Sequence, residues 1–346
     1  MTDTKAYAAT GPKEALKPFA IQRREPGPKD VEIEIAYCGI CHSDIHLARN
    51  AWGFTEYTIV PGHEIAGRVT RTGKDVRRFK AGDAAGIGCL VNSCRSCAPC
   101  RAGLEQHCEG GAVFTYNSRE GAAKTLTFGG YSSRIVADED FVLRIAPGQP
   151  LERVAPLLCA GITTYSPLKR FGLKGGQRLG VLGLGGLGHM AVKIGAAMGA
   201  EVTVLSHSAA KKADAARLGA HEFALTSDAA RAKTLAGRFD LILDTVSADH
   251  DVTSAIGWLK VGGTMILVGA PPKPLAVAAF SLLGRKALAG SLIGGIAETQ
   301  EMLDFCASRK VLADVEVLPI QKVNEAYERT IRGDVRYRFS IDLKTL

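Results

Sequence analysis

Aromatic side chains make up only 6% of this 346-residue chain. No apolar run reaches the roughly 18 residues that a membrane helix needs, which argues against a transmembrane protein. Residues 1–17 are polar, carry Asp3 and Glu14, and lack the apolar stretch of a secretory signal. A cytoplasmic protein whose nine cysteines are mostly thiols is therefore expected. Internal repeats and low-complexity linkers are absent, and the composition excludes a disordered chain, a collagen or a coiled coil. The net charge is +8, yet no basic run exceeds pairs such as Arg23-Arg24, Arg77-Arg78 and Lys211-Lys212. Such dispersion describes a solvated surface and not a nucleic-acid stripe.

What is present is an ordinary core: 46% hydrophobic and 23% charged residues, with 39 glycines for turns and close approaches. At roughly 150 residues per domain the length suits two domains. The first 145 or so residues read as short strands between Gly and Pro, for example the alternating 31–36 and 66–70. Residues 151–171 turn helical. Beyond them strand-like runs at 179–182, 202–205, 241–243 and 265–268 alternate with helix-like stretches at 189–198 and 211–218, the pattern of a doubly wound parallel sheet. Residues 337–343 alternate again and could return to the first domain.

Gly183-Leu184-Gly185-Gly186-Leu187-Gly188 follows an apolar strand and opens a helix, the context a dinucleotide-binding turn requires. Gly183 permits the tight turn, Gly185 lets backbone approach a pyrophosphate, and Gly188 lets helix and strand pack closely. After the next strand, where an NAD site carries an acid for the ribose hydroxyls, this chain has Ser206-His207-Ser208 followed by Lys211 and Lys212. Hydroxyl and ammonium groups suit a 2′-phosphate, which points to NADP(H) over NAD(H).

Cys94, Cys97, Cys100 and Cys108 place four thiols within fifteen residues. That donor set describes a closed structural zinc site, with an iron–sulfur cluster as the alternative. Cys41, His63 and Cys159 lie far apart, and spacing alone does not join them.

The residues Gly39-Ile40-Cys41-His42-Ser43-Asp44, Pro61-Gly62-His63-Glu64, the four-cysteine lobe, the glycine turn and Asp334-Val335-Arg336-Tyr337-Arg338-Phe339 occur in order. Together they resemble a zinc-dependent medium-chain alcohol dehydrogenase of the cinnamyl alcohol dehydrogenase-like branch, which includes bacterial NADP-dependent aldehyde reductases. The resemblance runs from about residue 5 to 343. It implies an α/β protein: an irregular β-rich, GroES-like catalytic domain at 1–150 with a structural zinc lobe at 89–110, a Rossmann NADP-binding domain at 151–295, and a return segment at 296–346.

The resemblance also implies two zinc ions per chain. The catalytic one is held by Cys41, His63 and Cys159 with Glu64 as an exchange ligand, and the structural one by Cys94, Cys97, Cys100 and Cys108. Asp44 is expected to orient His63, Ser43 to donate a proton beside the substrate oxygen, and His46 to form the outer end of the relay. Where many relatives continue that relay with an acid, this chain has Ala51. Val268, Gly269, Ala270, Ser291 and Ile293 match segments near the nicotinamide, and Trp52, Phe114, Leu282, Leu283, Leu292 and Ile293 match an apolar substrate channel. The expected partner is a small aldehyde or alcohol, with neither nucleic acid nor membrane, in a homodimer. An NAD-dependent polyol dehydrogenase would prefer an acid at Ser206. A zinc-stabilised binding protein would have no need of Cys41, Ser43, His63, Glu64 and Cys159 together.

Overall fold

A computed structural model describes residues 1–271 and 273–346 and divides them into two units, Met1–Cys159 with Gly294–Leu346, and Ala160–Ile293. Among the described residues no helix is long and apolar enough to cross a membrane.

The first unit is organised by the strand Asp30–Gly39, whose Val31, Ile33 and Ile35 are buried while Glu34 is exposed. Each such aliphatic side chain contributes about 1.5–3 kcal/mol when removed from water. Ile65–Thr72 pairs with it antiparallel, followed outward by Ala84–Ile87 and Leu143–Arg144. On its other side lies Arg338–Asp342, with Ser340 opposite Gly39, and then Val315–Pro319. The tail therefore does return to this sheet. Leu151–Val154 and Ala155–Leu158 also pack on the strands of this unit, so the chain passes to the second unit after Cys159 and not at 150. A side chain at Gly86 would meet the Leu158 side chain at 2.9 Å, and one at Gly88 the Leu158 carbonyl oxygen at 2.9 Å. Those two glycines let the backbone leading into Cys159 lie close to the sheet.

The second unit is a six-stranded parallel sheet in the spatial order Glu222–Leu225, Glu201–Ser206, Arg178–Leu182, Phe239–Asp244, Leu259–Leu267, Ala287–Gly290. In chain order that is third, second, first, fourth, fifth, sixth, the doubly wound arrangement. Val181, Val202, Val204, Ile242 and Leu243 are wholly buried, as strands covered on both faces require. The fifth strand ends at Leu267. The Val268 N–H beyond it still donates to the carbonyl of Asp244 on the neighbouring strand, at 2.9 Å.

Candidate active site and cofactor turn

The strand Asp30–Gly39 ends in Ile40-Cys41, and Cys41 caps the helix His42–Ala48. Asp44, three residues into that helix, accepts the Cys41 N–H through Oδ2 at 2.8 Å. Its Oδ1 accepts the Gly62 N–H at 3.0 Å, and the Tyr131 hydroxyl donates to Oδ2 at 3.2 Å. Asp44 thereby ties the loop carrying Cys41 to the loop carrying His63. Strand pairing completes the approach, with Cys38 opposite Ile65 and the Gly39 N–H bonded to the Glu64 carbonyl at 3.0 Å. Gly39 must be glycine: a Cβ there would lie 1.9 Å from Glu64 Oε2.

These elements bring one donor atom each from Cys41, His63, Glu64 and Cys159 within 4.8 Å of one another. The sulfurs of Cys41 and Cys159 are 3.9 Å apart. Two thiolates on a tetrahedral zinc, each about 2.3 Å from it, stand about 3.8 Å apart. Among the described residues His63 Nε2 and Glu64 Oε2 are buried without a hydrogen-bond partner, as a donor set for an ion requires. A zinc ion fits. The His63 ring stacks on Tyr116 at 5.6 Å, and its Nδ1 faces Asp44 Oδ1 at 3.8 Å, an ion-pair separation longer than a hydrogen bond. The Cys41 thiol is held well below its ordinary value, first because it accepts from Cys159.

Glu64 is ion-paired through Oε1 with Arg338, whose Nη2 also donates to the Ile40 carbonyl at 2.7 Å. Burial lifts the Glu64 carboxyl to about 8, against the pull of the guanidinium. Arg338→Leu would strand that carboxyl and the Ile40 carbonyl together. It should destabilise the protein by about 3 kcal/mol or more, read from the urea unfolding midpoint, and adding Glu64→Gln should recover part of the loss.

The four-cysteine lobe forms a second cluster with its sulfurs within 4.8 Å of one another. The Cys94 and Cys100 sulfurs are 3.9 Å apart, and the Cys97 and Cys94 N–H groups donate to Cys94 Sγ and Cys108 Sγ at 3.4 and 3.3 Å. Donation from the backbone at Ser96 and Cys97 pulls the Cys94 thiol down to about 5. Four thiols in a closed set, with no vacant donor position, suit a structural zinc ion. Neither of two cavities in this unit, of about 440 and 590 Å³, is lined by a member of either cluster.

In the second unit the turn after Arg178–Leu182 has Gly183 at φ +89°, which a residue with a side chain rarely adopts. A Cβ on Gly188 would lie 2.2 Å from the Gly183 carbonyl oxygen, whereas one on Gly185 would meet nothing within 4 Å. Open space at Gly185, at the N-terminus of the helix Gly186–Ala197, is where a pyrophosphate can be held by backbone N–H groups. Ser206 ends its strand buried, with Oγ accepting the Ser208 N–H at 3.2 Å. His207 is exposed, Ser208 and Lys211 are half-buried, and residues 206–212 contain no acid.

The chain matches the alcohol dehydrogenase GroES-like domain over residues 27–147 and the zinc-binding dehydrogenase family over residues 186–308. It is 53% identical to NADP-dependent alcohol dehydrogenase C 1 of Mycolicibacterium smegmatis over 350 residues, covering 100% of this chain and 99% of that protein. The chain belongs to the zinc-dependent medium-chain alcohol dehydrogenases. Within this family its structure is similar to a cinnamyl alcohol dehydrogenase from Sorghum bicolor, with TM-score 0.96, 44% identity, and 99% and 98% of the two chains covered. It is also similar to CAD from Helicobacter pylori complexed with NADP(H), with TM-score 0.92, 41% identity, and 99% of each chain covered.

The other residues expected to serve a dehydrogenase are placed less uniformly. Ser43 Oγ lies 3.7 Å from Cys41 Sγ, beside the metal set. His46 is half-buried with its ring 5.1 Å from Trp52, and burial lowers its pKa. Trp52 and Phe114 are exposed in the first unit. In the second, Leu283 and Leu292 are exposed and Leu282 is half-buried. Ile293 is 8% exposed and has φ +38°, an unusual conformation for a β-branched residue. Gly269 packs on the Val246 carbonyl, Ala270 donates to Ser247 Oγ at 3.4 Å, and Ser291 donates to the Leu267 carbonyl at 3.1 Å. Sequence reasoning assigned no role to Tyr116, to Arg338 or to Cys89, whose thiol hydrogen-bonds with that of Cys159. Only Arg338 carried a signal, its place within the tail motif.

Proposed function

We propose that the protein interconverts primary alcohols and aldehydes with NADP(H), acting mainly as a reductase of aromatic and aliphatic aldehydes. The convergence of Cys41, His63 and Cys159, with Glu64 beside them, carries this reading. Cys41, His63 and Cys159 would hold a catalytic zinc with one position open, and Cys94, Cys97, Cys100 and Cys108 a structural one. Bound zinc supplies Lewis acidity towards a carbonyl, and bound NADPH supplies the hydride. The residues of the chain orient and protonate. Asp44 fixes the two ligand loops, and Arg338 holds one Glu64 oxygen so that the other remains within the donor set. Ser43 Oγ gives its proton to the substrate oxygen, and His46, at the outer end of the relay, passes a replacement proton inward from solvent. No acid continues this relay: Ala51 only donates its N–H to the His46 carbonyl, at 2.8 Å.

Gly183 to Gly188 would hold the pyrophosphate, and Ser206, His207, Ser208 and Lys211 the 2′-phosphate. Val268, Gly269, Ala270, Ser291 and Ile293 would receive the nicotinamide end, and Trp52 and Phe114 of the first unit and Leu282, Leu283, Leu292 and Ile293 of the second are the residues assigned to the substrate. Val261 and Phe280 are 76% and 87% exposed on the second unit, whose sheet ends at Ala287–Gly290. Apolar exposure of that kind supports a homodimer joined through this unit.

Oxidation of NADPH followed by absorbance with benzaldehyde or cinnamaldehyde tests the reading. Turnover should be fast with NADPH and slow with NADH, and equal rates would contradict the assignment at Ser206. Ser206→Asp should raise the KM for NADPH by about tenfold or more, since a carboxylate would face the 2′-phosphate.

A further inference from the structure

The loop after Phe239–Asp244 leaves the sheet between the first and fourth strands of the second unit, at the switch point where dinucleotides bind in such sheets. It is wedged between two segments assigned above to the cofactor. On one side Thr245 donates its N–H to the Leu182 carbonyl at 3.0 Å and its hydroxyl to the same oxygen at 2.9 Å. Side chains at Gly183 would meet Thr245 Oγ1 and Val246 Cγ2, each at 3.0 Å. On the other side the Asp244 carbonyl accepts from the Val268 and Gly269 N–H groups at 2.9 and 3.1 Å, and a Cβ on Gly269 would lie 2.2 Å from the Val246 carbonyl.

One buried side chain governs the course of this loop. Asp244 is 1% exposed; its Oδ1 accepts the Val246 N–H at 3.0 Å and its Oδ2 accepts from His250 Nε2 at 2.7 Å. The other ring nitrogen, Nδ1, donates to the Ala248 carbonyl at 2.8 Å. Both ring nitrogens thus lie within hydrogen-bond distance of an oxygen, so the pair ties the loop to its own start at Val246 and to its middle at Ala248. Neither residue has a place in the mechanism described above.

We propose that Asp244 and His250 are positioning residues for the dinucleotide, a clamp that fixes residues 245–250 and through them the Gly183 turn and the Val268–Gly269 segment. This rests on the NADP(H) reading.

The experiment measures NADPH dissociation constants by fluorescence titration of the full-length protein, alongside NADPH KM, kcat and melting temperature. His250→Phe and Asp244→Ala should each weaken NADPH by about tenfold, equivalent to about 1.4 kcal/mol, and kcat at saturating NADPH should stay within about twofold. The double variant should be little weaker than either single one, because the two side chains act together. D244N should bind nearly as the unsubstituted protein does: its amide oxygen still accepts from Val246, and its NH2 donates to a neutral His250 ring that keeps its bond to Ala248. Unchanged NADPH affinity in His250→Phe, whether or not its melting temperature falls, would overturn the proposal. So would D244N as weak as Asp244→Ala. Failure of the unsubstituted protein to bind NADPH would sink the cofactor reading itself, and the clamp with it.

Discussion

His63→Ala is expected to lower kcat/KM for aldehyde reduction on the order of 10³-fold or more, the several kcal/mol that Lewis-acid stabilisation of a developing alkoxide represents. The fold should survive. Among the described residues His63 Nε2 has no hydrogen-bond partner, and Nδ1 faces Asp44 Oδ1 at 3.8 Å, while the Asp44 oxygens keep the Cys41, Gly62 and Tyr131 donors. What disappears is the imidazole donor and its stacking on Tyr116. Metal analysis should fall from about two zinc ions per chain to about one, by the donor sets of the two clusters. NADPH titration should be unchanged, since the turn at Gly183 belongs to the other unit. Full activity in this variant would refute the catalytic assignment.

Cys100→Ser is expected to give the opposite signature. The lobe from 94 to 108 contains only the short helices Ala98–Arg101 and Glu105–His107, too little to hold its shape by apolar burial. Structural zinc in comparably small domains contributes about 10–16 kcal/mol of binding free energy, most of which is folding free energy. Cys100 is buried, and its thiol also donates to Ser93 Oγ at 3.3 Å. The variant should lose one zinc, melt lower, and exchange amide hydrogens faster across 93–111, with NADPH binding retained. Hydrogen exchange in the lobe equal to that of the unsubstituted protein would mean that the cysteines do not act as a metal clip.

The two clusters differ in how far they could be read in the sequence, for a physical reason. Four thiols within fifteen residues can reach one ion almost whatever surrounds them, so the lobe was legible from spacing. Cys41, His63 and Cys159 meet only because strand pairing sets Cys38 opposite Ile65 and because Gly86 and Gly88 let the segment before Cys159 approach the sheet. Neither is visible in local pattern, and family resemblance alone joined them. Gly183 and Gly188 were legible because their reasons are steric and local. The end of the first domain was not: 151–158 has the period of a helix, and which unit it packs on depends on distant strands. The channel residues, Ile293 among them, rest on resemblance alone, because apolarity does not distinguish a lining residue from an interior one.

The strand Arg338–Asp342 lies against Asp30–Gly39, although the whole of Ala160–Ile293 separates them in the chain. During synthesis the ligands Cys41, His63 and Cys159 emerge well before Arg338 can reach Glu64. Until then the Glu64 carboxyl has no guanidinium partner and Asp30–Gly39 is bare along one border. A nascent chain can thus mature its dinucleotide unit first, while the catalytic centre stays unfinished until Arg338 has been made. Removal of the last nine residues would erase no metal ligand and yet leave that centre immature.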